Sequence, residues 1–167
     1  MVSIIEYNNA YQSSIINLIL HIQQNEFGVE VTLQDQPDLM AINDFYRKGK
    51  GNFWIAVENE KLLGTVGLID MQDGNLALRK MFVEANSRGK EKSVALLLLQ
   101  TVLAWCKQKG VKNIYLGTVE ILKAAHRFYE KNGFVKIEAA NLPVSFPRMA
   151  VDTLFYQYSF VQQQHNK

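Results

Sequence analysis

The segment from Met81 to Leu99 constrains this chain more than any other. A β-rich run ending at Val83 passes through a basic loop containing Gly89 and opens directly into a leucine-rich helix. The first turn of a helix offers N–H groups without intrahelical acceptors and the positive end of the helix dipole, so such a junction suits a phosphate. Arg88, Lys90 and Lys92 add charge, and the small residues Gly89, Ser93 and Ala95 would let an anion approach the backbone. Arg79 and Lys80 belong to the same basic stretch, which only Glu84 and Glu91 oppose. The Gly-Lys-Ser/Thr ending of a Walker loop is missing. From physics alone, an anion site and a plain capped helix both stand.

The flanking pattern gives the fold class. Ser3–Tyr7 reads as a strand, and Ala10–Gln24 places Ile15, Ile16, Leu18, Ile19 and Ile22 at helical spacing. Pro37 opens a second helix with Leu39, Ile42 and Phe45 behind it. Asn52–Val57, Leu62–Ile69 and Leu76–Val83 are β-rich runs separated by turn signals, as in an antiparallel meander. Ser93–Gln108 is helical and ends at Gly110. A strand follows over Asn113–Leu116, then a helix over Ile121–Asn132 closed by Gly133. Phe134–Glu138 and Leu154–Phe160 are the last strands. This is an α/β order with one crossover in its middle.

A chain of 167 residues, 48% apolar and 20% charged, suits one globular domain, here 1–161 with a tail over 162–167. No apolar run is long enough to span a bilayer, so no membrane is expected as a partner. The start lacks the features of a secretion signal, and the single cysteine, Cys106, suits a reducing, cytoplasmic setting as a packed core thiol. A net charge of +2 gives no case for nucleic acid. Three scattered histidines and one cysteine lack the spacing of a metal site.

Leu116-Gly-Thr-Val-Glu-Ile-Leu-Lys-Ala-Ala125-His-Arg-Phe128-Tyr129-Glu-Lys-Asn-Gly133-Phe134 carries a second, more specific pattern. It resembles the Ala-x-x-Phe/Leu-Tyr-Glu-Lys-x-Gly-Phe hallmark of the GNAT N-acetyltransferases. The basic loop resembles that family's acetyl-CoA signature, Arg/Gln-x-x-Gly-x-Gly/Ala, in two registers. One starts at Arg88 and puts Glu91 where glycine belongs. The other starts at Lys90 and puts Ser93 and Ala95 at the small-residue places. Leu122 replaces the usual asparagine.

The resemblance implies a mixed, mostly antiparallel sheet of six to seven strands, splayed in the middle and flanked by about four helices. It implies acetyl-CoA as co-substrate and the amine of a small molecule or peptide as acceptor. The pantetheine arm would pair with the backbone of Met81, Phe82 and Val83, with the Val83 N–H as oxyanion donor. Arg88, Gly89, Lys90, Lys92, Ser93, Val94 and Ala95 would hold the phosphates. Tyr129 would stand near the sulfur, where a phenol can assist a departing thiolate. Glu26, Asp70 and Glu84 lie on segments that could face the cleft, and no base is assigned. His126 is expected to be exposed or to touch phosphate. Phe146, Arg148 and Asp152 are expected to line the acceptor site, and Leu154–Phe160 offers an edge for a homodimer. The competing readings are a CoA-binding module with little catalysis and a domain whose basic loop takes another phosphate ligand or nucleic acid, which the balanced net charge and the second motif oppose.

Overall fold

The computed structural model describes residues 1–89 and 91–160; Lys90 and residues 161–167, which include the tail 162–167, lie outside the described residues. Seven strands form one sheet: β1 (Ser3–Glu6), β2 (Asn52–Glu58), β3 (Lys61–Asp70), β4 (Asn75–Val83), β5 (Asn113–Thr118), β6 (Val135–Ile137) and β7 (Leu154–Ser159). Their order across the sheet is β1-β2-β3-β4-β5-β7-β6. All neighbours are antiparallel except β4 and β5. The four α-helices are α1 (Gln12–Leu20), α2 (Ile42–Tyr46), α3 (Val94–Gln108) and α4 (Lys123–Lys131). The expected splayed α/β sheet is the observed one.

Both faces of the sheet are covered, which is why β2 reads as an unbroken apolar run rather than an alternation. Trp54 and Ala56 join the core that α3 closes with Val94, Leu98, Leu99 and Val102. Phe53 and Ile55, one step out of phase, join the core under α1 and α2 with Ile15, Ile19, Ile42 and Tyr46. Cys106 lies fully buried in the first core, and burial pushes its thiol up to about 12. It is a packed core thiol.

Three details depart from the pattern-based expectation. α1 is shorter than its apolar periodicity, because His21–Glu26 continues it as a π-helical turn. Such turns are frequent at functional sites. The helix after Pro37 begins as a 3₁₀ turn, Pro37–Met40, before α2. β7 is no free edge: it lies between β5 and β6 and pairs with both. Among the described residues no helix is long and apolar enough to cross a membrane.

The seam between β4 and β5 positions the site. It is parallel and brief, with Asn75, Leu76 and Ala77 facing Asn113, Ile114 and Tyr115. Beyond Ala77 the two strands diverge. β4 is also bulged there: Gly67 faces Arg79 while Thr65 faces Phe82, so Lys80 and Met81 share the space opposite Val66. Lys80 has φ 56°, a conformation that costs a non-glycine residue about 1–3 kcal/mol unless its surroundings hold it. They do: the Thr65 hydroxyl donates to the Lys80 carbonyl at 2.6 Å.

Candidate active site

The divergence opens two connected spaces. A groove of about 450 Å³ runs along the free edge of β4 past Val83, Arg88 and Ala95 to the start of α4. A smaller chamber of about 120 Å³ lies between the β4 bulge, the end of β5 and the loop before β7. Both are bordered by Met81, Phe82, Leu122 and Tyr129. The π-helical turn contributes Ile22 to both and Gln23 to the chamber.

Tyr129 stands at the junction. Its ring is fixed among Phe128, Phe134 and Tyr156 at centroid distances of 5.5–6.0 Å. Its hydroxyl has no hydrogen-bond partner among the described residues. Burial raises its pKa above the ordinary phenol value, so it stays protonated at neutral pH. Tyr129 lines both cavities, so its protonated hydroxyl can donate to an anion that forms where they meet.

The other residues of the basic stretch separate. Met81, Phe82, Val83, Arg88 and Ala95 border the groove. Arg88 donates from Nε to the Val83 carbonyl at 2.9 Å, forks onto Glu26 and lies over the Phe27 ring. Gly89 holds φ 106° with open space around its α-carbon. Ser93 begins α3 in the left-handed region, and the Val94 side chain is packed in the core, leaving only backbone for a ligand. Lys92 does not border the groove; it pairs with Glu58. Lys123 borders the groove, so among the described residues both charged side chains on its walls, Arg88 and Lys123, are cations.

Arg79 and Lys80 face the chamber instead. The Lys80 ammonium donates to Gln36 Oε1 at 2.6 Å and lies 3.7 Å from Asp38, whose carboxylate accepts the Tyr46 hydroxyl. All four residues are buried. Desolvation, partly offset by Asp38, lowers the Lys80 pKa to about 8. Gln36 is itself locked by reciprocal amide bonds to Gln23. Pattern reasoning grouped Lys80 with the loop cations; an Arg-Lys pair interrupting an apolar strand was the signal for a separate role.

The remaining candidates divide as follows. Asp152 is buried and borders the chamber. Phe146 packs in a small core beneath the loop, and Arg148 stacks on Phe155 at 4.8 Å, so neither lines the chamber. Glu26 is engaged by Arg88; Asp70 accepts the Lys50 and Gln72 amides; Glu84 accepts the Ser87 hydroxyl and pairs with Lys61. None of the three borders either cavity. His126 is buried, its Nε2 2.8 Å from the Val119 carbonyl, rather than exposed. That contact fixes the turn ahead of α4.

The Acetyltransferase (GNAT) family model matches residues 16–134, which span β2 to α4 and both walls of the groove. The chain belongs to the GNAT acetyltransferase family. An acetyltransferase of this family from Staphylococcus aureus Mu50 is 40% identical, with a TM-score of 0.92 over 95% of this chain and 99% of that one. An N-acetylaspartate synthetase from Xenopus tropicalis is 32% identical over 127 residues, 74% of this chain and 46% of that protein. The chain thus spans about half the length of the curated relatives it matches. The fold alone is shared with N-acetylglutamate synthase from Neisseria gonorrhoeae, solved with coenzyme A and N-acetyl-glutamate (TM-score 0.75, 12% identity, 95% of this chain and 35% of that one). The co-substrate of the GNAT family is acetyl-CoA. The groove fits its acyl-bearing arm: it is long, mostly apolar, bounded by an unpartnered strand edge and flanked by two cations.

Proposed function

We propose that this GNAT chain transfers the acetyl group of acetyl-CoA to the primary amine of a small acceptor by direct attack. The observation that carries this reading is the seam that opens after Ala77, with a groove and a chamber meeting at the Tyr129 hydroxyl. The free edge of β4 over Met81–Val83 holds the acyl arm as an added strand would, and the Val83 N–H faces the thioester oxygen. Losing a donor of that kind typically costs about 10²–10³ in rate. Arg88, Lys123 and the backbone at Gly89–Ala95 receive the phosphates. Lys90 joins them in this reading.

Attack forms the N–C bond and breaks the C–S bond. Tyr129 supplies a proton or hydrogen bond to the leaving sulfur, a thiolate whose conjugate acid has a pKa of about 8.5. The proton lost by the amine restores the balance, so the products are the amide and the free thiol. Removing the Tyr129 hydroxyl should slow the departure step rather than binding.

Calorimetry with acetyl-CoA and thiol release with an amine panel test the reading. Wild type should bind at micromolar concentration, Arg88→Ala should bind more weakly, and Tyr129→Phe should bind normally while losing about 10²-fold in kcat. Tight binding without turnover on any amine would favour a CoA-binding module and refute acyl transfer. Full turnover by Tyr129→Phe would remove Tyr129 from the chemistry.

A further inference from the structure

We propose that the acceptor is an α-amino acid, with Arg79 gripping its carboxylate and Asp152 facing its amine. This inference rests on the acyl-transfer reading above and narrows its substrate.

Arg79 is the cation the chamber leaves unused. It comes from β4 immediately before the bulge, on a rigid element. Among the described residues it forms no ion pair, and its hydrogen-bond partner is the Met149 thioether at 2.9 Å, a weak acceptor. A guanidinium has five N–H donors in a planar fork that matches a carboxylate. Lys80 beside it is already committed to Gln36 and Asp38. The chamber therefore presents one half-buried, underused fork.

Asp152 supplies the opposite charge. The backbone of Gly117 lets it press against β5: a Cβ there would fall 2.5 Å from Asp152 Oδ2. Its Oδ2 accepts the Met149 N–H at 3.2 Å, while Oδ1 has no hydrogen-bond partner among the described residues. The charged groups around it are Arg79 and Lys80 on β4 and Arg148 on its own loop. Burial outweighs these cations and raises its pKa, which makes the carboxylate a better proton acceptor. Asp152 and Arg79 feel each other's charge, yet they are not joined in an ion pair.

A zwitterion fills that gap with both charges satisfied, its carboxylate on Arg79 and its ammonium toward Asp152. Asp152 then takes one ammonium proton before attack, leaving the neutral amine aimed at the junction beside Tyr129. An amine without the neighbouring carboxylate leaves the half-buried Arg79 fork without its charged partner, and a site built to pair such a group discriminates against that amine.

The test compares L-alanine, L-aspartate and L-glutamate with their α-carboxamides, which keep the amine and lose the charge. The free acids should exceed the amides in kcat/KM by roughly 10–100-fold, the worth of a charge-assisted pair. Arg79→Leu should remove that preference by lowering only the acids, and Arg79→Lys should retain part of it. Asp152→Asn should flatten the acid limb of the kcat/KM profile, since the carboxylate must be ionised to accept a proton. Calorimetry of the N-acetyl acids and N-acetyl amides on the same proteins reads the preference without turnover. Equal use of acids and amides, or equal losses on both in Arg79→Leu, overturns the inference and leaves acyl transfer standing. Retained acetyl-CoA binding with no amine acetylated overturns acyl transfer, and this inference with it.

Discussion

Arg79 and Lys80 sit inside the sheet, at the β4 bulge just beyond the pairing with β5, whereas Arg88 and Lys92 sit outside it, before α3. The inner pair is held by side chains far along the chain: Gln36 and Asp38 for Lys80, Met149 for Arg79. The outer pair is held by carboxylates at the surface, Glu26 and Glu58. At buried Lys80 solvent is excluded and the charge must be matched, so its position is fixed and a mismatch is costly. Outside, water and salt screen the pairs, so they can open for a ligand at little expense. Under the proposed function, Arg79 is the inner cation that selects an acceptor, and Arg88 is the outer one that exchanges a protein carboxylate for a phosphate.

The largest expected effect breaks the inner network. Lys80→Ala leaves the Asp38 carboxylate buried without its cation, and should cost about 3–5 kcal/mol in stability measured by urea unfolding. The same truncation at Lys92 should cost under about 1 kcal/mol, because its pair with Glu58 is exposed. Similar losses at both positions would abolish the distinction. The sign of the pH dependence sharpens it. Folded Lys80 releases its proton near 8 and the unfolded side chain near 10.5. Between those values the unfolded chain binds more protons, so the contribution of Lys80 to stability rises with pH in that window.

A smaller effect sharpens the outer half. Glu26 neutralises Arg88 where the groove begins. Glu26→Gln should leave stability within about 1 kcal/mol of wild type and tighten acetyl-CoA binding a few-fold in low salt, with the gain fading as salt rises. Weaker binding by Glu26→Gln would mean that Glu26 positions Arg88 rather than competing for it.

Much of this was legible in the amino-acid sequence, for reasons that differ by element. The β2–β3–β4 meander is local, and its turn residues mark its ends. Tyr129 lay in a motif whose spacing placed it on a helix facing the sheet. The parting of Arg79 and Lys80 from Arg88 was hidden, because it depends on a bulge at a residue with positive φ and on Gln36, Asp38 and Met149, all far along the chain. His126, expected to be exposed or to touch phosphate, is buried, because its contact with the Val119 carbonyl depends on an irregular turn that no pattern marks. The apolar periodicity of α1 concealed the π-helical turn that puts Gln23 and Ile22 at the chamber.

In the proposed reaction the groove and the chamber are filled together, and the amine attacks the thioester directly at their junction. Initial velocities measured while acetyl-CoA and an accepted amine are varied together test this most directly. A sequential mechanism through one ternary complex predicts double-reciprocal lines that intersect. Parallel lines, the pattern of a covalent acetyl-enzyme, would contradict it.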